Sequence, residues 1–340
     1  MSTEKFINYV DIYNWMAYTE IQKKSKKSYF YLAHSVRIGS GYKKLRVFLG
    51  VDLSKSQLED AIKKKEALLN DKISIVQKAE KDEFRLKIDF SKKFFKKDQI
   101  ETIEKIKKKY KGKISLTDKD ILRKIRESFL IKYTFNTNAA EGNTITLKET
   151  ELILTKGIIP KSHSLREVHE IENTVKAYEY IEKYDGKLDH KFILELHKLV
   201  TENTLGNVKN EGKYRSRGQD VAMLGSKFYP PKGGRRIKKY VDELISKYNG
   251  CALSKVEAAV IFHSAFIAIH PFIDGNGRVS RLLFNWMLMN DNLPAIDFPS
   301  ENHIEYTDLM ETSRQEDMIP LADYLLERIK YALYMSTKMH

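Results

Sequence analysis

Residues 270–281 read HPFIDGNGRVSR, and no other stretch of the chain gathers so many side chains able to do chemistry. Gly275 and Gly277 let the backbone turn successive amide hydrogens toward one point, and a helix starting here adds its own unpaired N-terminal donors. The result is an anion nest suited to phosphate. Arg278 and Arg281, three residues apart, share a helix face and can hold two phosphate groups of one ligand. Asp274 can hold a hard Mg²⁺ ion that bridges phosphate oxygens. His270, with an ordinary pKa of about 6.5, can be neutral near pH 7 and accept a proton from an attacking hydroxyl. Together these are the parts of a phosphate-transfer site. A histidine at a helix end or a DGNG turn has a plainer use when it stands alone, so the inference rests on their combination and order.

Two apolar helices must position this stretch. Upstream, Ser254 and Glu257 have capping-box spacing ahead of AAVIFHSAFIAI, which sets a buried helix running to about Ile269. Downstream, RVSRLLFNWMLMN places Leu282, Leu283, Trp286 and Met289 on an apolar face and stops before Pro294. The spacing predicts helices over 118–133, 147–155, 165–183, 190–202, 237–247, 255–269, 278–290, 303–314 and 319–336. Closer to the N-terminus, residues 28–53 alternate apolar and polar residues on both sides of GSG and predict a β-hairpin. Ser54 then offers an N-cap, with Gln57 reaching back, ahead of the helical stretch LEDAIKKKEALLNDKISIVQKAE. FRLKIDF, at 84–90, suggests a short strand. No internal repeat or long low-complexity linker interrupts the chain.

Length and charge divide the chain. At 340 residues it is long for one domain and comfortable for two. Of its net charge of +14, nearly all lies in residues 1–113, with 28 Lys and Arg against 15 Asp and Glu; residues 114–340 carry 32 against 31. The reading is a basic N-terminal module over 1–113 and a helical domain over 114–340. The module's charge and its interleaved Tyr29, Tyr31 and Tyr42 suit nucleic acid or an acidic partner, although it contains no named DNA-reading motif, and a lysine-rich solvated face is the plainer alternative. The single cysteine, Cys251, excludes an intrachain disulfide and suits a reducing compartment. The early charges of MSTEKFINYVDIYNWMAYTE do not read as a signal peptide, and AAVIFHSAFIAIHPF is too short to span a bilayer. The expected location is cytoplasmic.

HPFIDGNGRVSR resembles the core motif of the Fic family, HPFx(D/E)GNGRxxR, at every fixed position. The resemblance extends over about 120–335. GKYRSRGQDVAMLGSKFYPP, at 212–231, resembles the family's G-x-Y-R segment and the β-hairpin flap that docks a target, while EIENTVKAYEYI and ILELHKLV resemble the two preceding helices. The implied fold is mainly α: a Fic-type (Fido) helical domain with a β-hairpin flap, preceded by a small mixed α/β module. The implied activity is transfer of AMP from ATP to a Ser, Thr or Tyr hydroxyl of a target protein or of the enzyme itself, with Mg²⁺ as cofactor. On that resemblance His270 is the general base and Asp274 the Mg²⁺ ligand. Gly275, Asn276 and Gly277 form the nest, Arg278 grips the phosphates and Arg281 holds the γ-phosphate. Leu224, Gly225, Ser226 and Lys227, at the flap tip, would lie near the nucleotide, and Tyr306 near its adenine end. The Asn often found there is not evident. The target would dock at 221–231, and a homodimer is a further expected partner.

A second resemblance lies in TNAAEGN, residues 137–143, which is similar to the family's inhibitory motif (S/T)xxxE(G/N). It implies an inhibitory helix around 120–143, N-terminal to the core, in the class II manner. Glu141 would make a bidentate ion pair with Arg281, blocking the γ-phosphate site, and Thr137 would help hold the helix. Gly142 also suits an ordinary helix C-cap. Two other functions fit these residues: a phosphate-group transferase or de-AMPylase in which Glu141 orients a water, and a nucleotide-sensing, nucleic-acid-associated regulator. Relatives resembling the Doc kinase carry Lys at the position of Gly277, which counts against kinase chemistry.

Overall fold

The computed structural model describes residues 17–24, 27–38, 41–81, 89–223, 228–314 and 317–338. The chain forms two compact units, Met1–Arg85 and Leu86–His340.

In the first unit, β1 (Tyr18–Lys24), β2 (Lys27–Ile38) and β3 (Gly41–Val51) form an antiparallel sheet in sequential order. β2 and β3 are the hairpin expected from the alternation, and β1 adds a third strand that the sequence reading omits. Because side chains alternate across a strand, one sheet face carries Leu32, Val36, Val47 and Leu49. These pack on Leu69 and Ile73 of α1 (Lys55–Lys81). Ser54 and Gln57 make the expected cap at the start of this helix: Ser54 N donates to Gln57 Oε1 at 2.9 Å. The strand suggested at 84–90 lies almost wholly outside the described residues.

The second unit is helical. α2 (Lys97–Leu116), α3 (Lys119–Ala139), α4 (Leu147–Lys156), α5 (Leu165–Lys183), α6 (His190–Thr201), α7 (Arg235–Gly250), α8 (Lys255–Ile269), α9 (Asn276–Met289), α10 (His303–Ser313) and α11 (Ile319–Lys338) follow in order. Nine of these match the predicted spans closely. α2 was not predicted, because its run of lysines obscures the buried Ile103 and Ile106 that form its apolar seam.

α2 also corrects the division at 113/114. It packs on α11, Gln99 Nε2 donates to Asp323 Oδ1 at 2.6 Å, and Lys107 pairs with Asp291 at 2.8 Å. Charge followed the lysines, whereas packing places the boundary at 85/86.

α8 and α9 form the centre. Both are buried on nearly all faces, as expected of helices apolar all round. α9 packs against α3, α5 and α6, and α8 against α7 and α11. Among the described residues no helix is long and apolar enough to cross a membrane. The flap segment differs from a paired hairpin: none of the described residues of 212–234 is in a strand, and Pro230 and Pro231 bring no N–H to a ladder.

One carboxylate joins the start of α8 to the chain entering α2. Glu257 Oε2 accepts from Ser254 Oγ at 2.8 Å, and Oε1 accepts from Phe94 N and Phe95 N, each at 3.1 Å. Glu257→Ala leaves these buried donors without acceptors, and destabilisation of about 3 kcal/mol is expected. In thermal unfolding that is a fall in Tm of roughly 6–12 °C, with Glu257→Gln recovering most of it. An unchanged Tm in the alanine variant would contradict this account.

Candidate active site

α8 ends at His270, whose backbone is left-handed at φ 49 and ψ 60. That conformation is unfavourable for a side chain bearing a Cβ and persists only where neighbours over-determine it. Arg215 does so. Its Nε donates to His270 O at 2.7 Å, its Nη2 donates to Pro231 O at 2.8 Å and Ile269 O at 3.4 Å, and its Nη1 donates to Gln219 O at 2.9 Å. Its own backbone N–H donates to Pro271 O at 2.9 Å. Arg215 is fully buried, and burial pulls its pKa down to about 10. The sequence reading quoted this residue within G-x-Y-R without giving it a task; four carbonyls converging on one guanidinium can be seen only in three dimensions.

The His270 ring is fixed by a contact of 3.3 Å between Nδ1 and Ile267 O. A carbonyl oxygen only accepts, so Nδ1 carries the proton and Nε2 keeps its lone pair. Burial lowers the His270 pKa to about 4, so the ring is neutral at pH 7. It therefore has the protonation state and tautomer that a general base requires.

The loop from Pro271 to Gly275 is held from inside. Asn276 Oδ1 accepts from Phe272 N and Asn276 Nδ2 donates to Phe272 O, both at 2.9 Å. The Asn276 side chain thus shapes the nest and does not face into it. Phe272 stacks on His197 with ring centroids 3.7 Å apart. His197 Nδ1 accepts from Gly212 N at 3.0 Å, which leaves the proton on Nε2 to donate to Asp274 O at 3.1 Å. Gly275 has φ 77, and a Cβ there would lie 3.0 Å from Thr201 Cγ2. Glycine is needed for both reasons.

The two arginines of the motif differ. Arg281, buried within α9, donates from Nε to Thr137 Oγ1 at 2.7 Å, and from Nη2 to Thr137 O at 3.0 Å and Glu141 Oε1 at 2.6 Å. The expected bidentate pair is therefore a single-oxygen contact, because Thr137 takes the Nε that a fork would use. Burial opposes charge on both partners, but their mutual attraction outweighs it: the Glu141 pKa is lowered and that of Arg281 raised. Glu141 Oε1 also lies against the first turn of α9, where a Cβ on Gly277 would be 2.1 Å away. Any side chain at 277 would displace the carboxylate. Arg278 is equally buried, yet among the described residues its Nε and Nη1 have no hydrogen-bond acceptor, the nearest carboxylate to Nη1 being Glu170 at 3.7 Å. Two buried donors without acceptors mark a place for an anion.

Asp274 is about one-third exposed. Its Oδ2 accepts from Arg166 Nη2 at 3.0 Å and its Oδ1 from Gly275 N at 2.6 Å, with Arg278 Nη2 at 3.4 Å. Among the described residues no group of three His, Cys, Asp or Glu could hold a metal ion. A single accessible carboxylate beside unsatisfied Arg278 donors suits Mg²⁺, which takes one or two carboxylates and otherwise phosphate oxygens and water.

Of the remaining expected residues, Leu224, Gly225, Ser226 and Lys227 lie outside the described residues. Tyr306 is buried, and its hydroxyl hydrogen-bonds to His263 Nε2, so it packs behind Arg281 as a core residue and not as an open adenine contact. The sequence reading also passed over Asn143 and Glu170. Asn143 Nδ2 donates to Glu170 Oε2 at 2.9 Å, which ties the end of TNAAEGN to the carboxylate beside Arg278 Nη1.

Residues 187–288 match the Fic/DOC family. The protein is similar to the protein adenylyltransferase fic-1 of Caenorhabditis briggsae, with 30% identity over 60% of this chain and 40% of that protein. It is also similar to the protein adenylyltransferase Fic of Drosophila willistoni, with 31% identity over 61% and 41%. The chain thus spans about two-fifths of the length of these curated relatives. Among solved structures, a Fic-domain signalling protein of Bacteroides thetaiotaomicron superposes with TM-score 0.61 at 26% identity, over 70% of this chain and 97% of that one. Caenorhabditis elegans Fic-1 superposes with TM-score 0.62 at 21% identity, over 85% and 78%, which shows the shared fold.

Two buried histidines and the partly buried His270 give the unit a pH dependence. Burial lowers His197 and His270 to about 4 and His263 to about 3. Between these values and about 6.5 the unfolded chain binds more protons, so stability is fully present above pH 6.5 and is lost as pH falls toward 4. The urea midpoint is expected to fall steadily between pH 6.5 and 4.5, and the His270 ring resonances to show no titration between pH 5.5 and 7.5. A His270 midpoint near 6.5 would contradict the neutral-base assignment.

Proposed function

We propose that this protein is an autoinhibited protein adenylyltransferase, which transfers AMP from ATP to a Ser, Thr or Tyr hydroxyl. The observation that carries the reading is the placement of Glu141 on Arg281 and Gly277, beside Arg278 with its two donors lacking acceptors. A tethered anion fills one half of a phosphate site, and the other half lacks its anion.

In the proposed mechanism Arg278 and the first turn of α9 bind the nucleotide phosphates, and Arg281 takes the γ-phosphate when Glu141 vacates it. Asp274 would hold Mg²⁺, which when bound neutralises charge on the phosphate oxygens. His270 Nε2 accepts the proton of the acceptor hydroxyl as that oxygen attacks the α-phosphorus, and pyrophosphate leaves. Arg215 orients this base by fixing the backbone on either side of it. With little covalent work for the protein to do, alignment supplies most of the rate, and a misoriented triphosphate is enough to inhibit. The names of the curated relatives support nucleotidyl transfer over the alternatives, including a role confined to nucleotide sensing.

Glu141→Gly is expected to raise label transfer from α-labelled ATP, to the protein itself or to added targets, by roughly ten- to a hundredfold. The gain should vanish in Glu141→Gly, Arg281→Ala, and His270→Ala should abolish transfer with nucleotide binding retained. Transfer of γ-label instead would exclude adenylylation. If Glu141→Gly is no more active than the parent in an assay that requires His270, the inhibitory role fails. A fall in AMP removal with the same substitution would favour the hydrolytic reading.

A further inference from the structure

The sheet of the first unit has a second face. Residues paired across the strands share a face, and the registers Glu20↔Tyr31↔Phe48 and Tyr18↔Ala33↔Arg46 place these residues opposite the face that packs on α1. Ser35↔Lys44 belongs to the same set. This outer face is basic and aromatic. Of the eight Lys and Arg in residues 18–51, Lys27, Lys44 and Arg46 lie on this face with one carboxylate, Glu20, whereas Lys23, paired with Ser28, lies on the face toward α1. Tyr42 is 74% exposed and Phe48 44%. Lys44 and Arg46 stand out from β3 beside them, about two-fifths exposed.

We propose that this outer sheet face binds duplex DNA, entering the major groove with Lys44 and Arg46 toward the phosphates. Size is the first argument. Strands lie about 4.8 Å apart, so β2 and β3 form a two-stranded ribbon of the width that the major groove admits. Sign is the second: Lys27, Lys44 and Arg46 share this face, where a polyanion can meet them together. Two other occupants fit less well. A single strand stacks bases on open ring faces, but Tyr29 and Tyr31 lean on Phe48 at 6.5 and 5.4 Å with planes tilted 39° and 57°, and Lys65 Nζ lies over Phe48. A peptide adding as a fourth strand at the β3 edge would meet Phe48 O and Arg46 O, which already accept from Lys65 Nζ and Lys72 Nζ.

Glu20 sets the sign of a decisive test. Its carboxylate holds Arg46 Nη2 at 2.7 Å and Lys44 Nζ at 3.0 Å, so at present it neutralises part of the face. Removing it should free both cations for phosphate, and removing the cations should do the reverse.

The experiment uses the full chain and a fluorescent 20-base-pair duplex of mixed sequence, read by anisotropy in 50 and 200 mM salt. Half-saturation is expected at about 1–10 µM in the lower salt, with marked weakening in the higher. Lys44→Ala, Arg46→Ala together should weaken binding about tenfold and reduce the salt slope by about two. Glu20→Gln should tighten binding about threefold, and it carries the test if the double variant fails to fold. Equal binding by parent and variants would overturn the assignment, since the basic α2 would then account for the affinity. Tighter binding of a single-stranded oligonucleotide or an RNA duplex, or equal competition by polyglutamate, would overturn it as well. Label transfer from ATP by these variants should match that of the parent.

Discussion

A guanidinium held out of water needs an anion, and the structure is organised around that requirement at Arg281. The group is buried within α9, and among the described residues only the end of α3 and the residues just after it bring acceptors to it. Thr137 contributes neutral oxygens and Glu141 the charge. A buried charge stripped of its partner is costly, whereas exchange of one anion for another is not. The ion pair is therefore best regarded as one of two ways to satisfy the same cation. On the proposed reading, the second is a phosphate.

Arg278 makes the comparison sharper. Its side chain is as buried as that of Arg281, but its partners are poor: Asp274 at 3.4 Å and Glu170 at 3.7 Å, both also held by Arg166. One arginine is saturated by the chain itself and its neighbour is left wanting. On the proposed reading, a triphosphate arriving here would find Arg278 ready and would have to compete for Arg281, so binding and productive alignment would be separable quantities. That separation is what inhibition by misorientation requires.

Much of this was legible in the sequence. The capping box of α8, the nest glycines and the two arginines follow from residue type and spacing, because caps, turns and helix faces are local, whereas the Glu141 contact was implied by the resemblance of TNAAEGN. What the sequence hid was long-range. Arg215 reaches the His270 carbonyl across 55 positions, and Glu257 reaches Phe94 across 163. Tyr306 was expected near the adenine end through family resemblance alone, and its packing against His263 and Phe298 is visible only in three dimensions. The domain boundary was misplaced for a related reason: lysine content reports on solvent exposure, and α2 is exposed along one side while its other side belongs to the helical core.

The position of Glu141 along the chain bears on how it could leave. It lies past the end of α3, in a turn where Glu141 N donates to Asn138 O at 2.9 Å and Gly142 takes φ 91. The helix before it is anchored by buried amides: Asn136 to Asp297 and Ser300, and Asn138 to Thr174. The segment after it is anchored by Asn143 to Glu170 and to Glu167 O. With both flanks pinned, rigid withdrawal of α3 would break a buried polar network, whereas rotation of one side chain, about 30% exposed, breaks a single ionic contact. A full loss of the helix would also take Thr137 from Arg281, but side-chain rotation leaves Thr137 in place. The guanidinium would then meet an incoming phosphate already oriented, with its Nε and one Nη2 hydrogen bond retained. The physically cheaper route to release thus preserves the geometry that transfer would need.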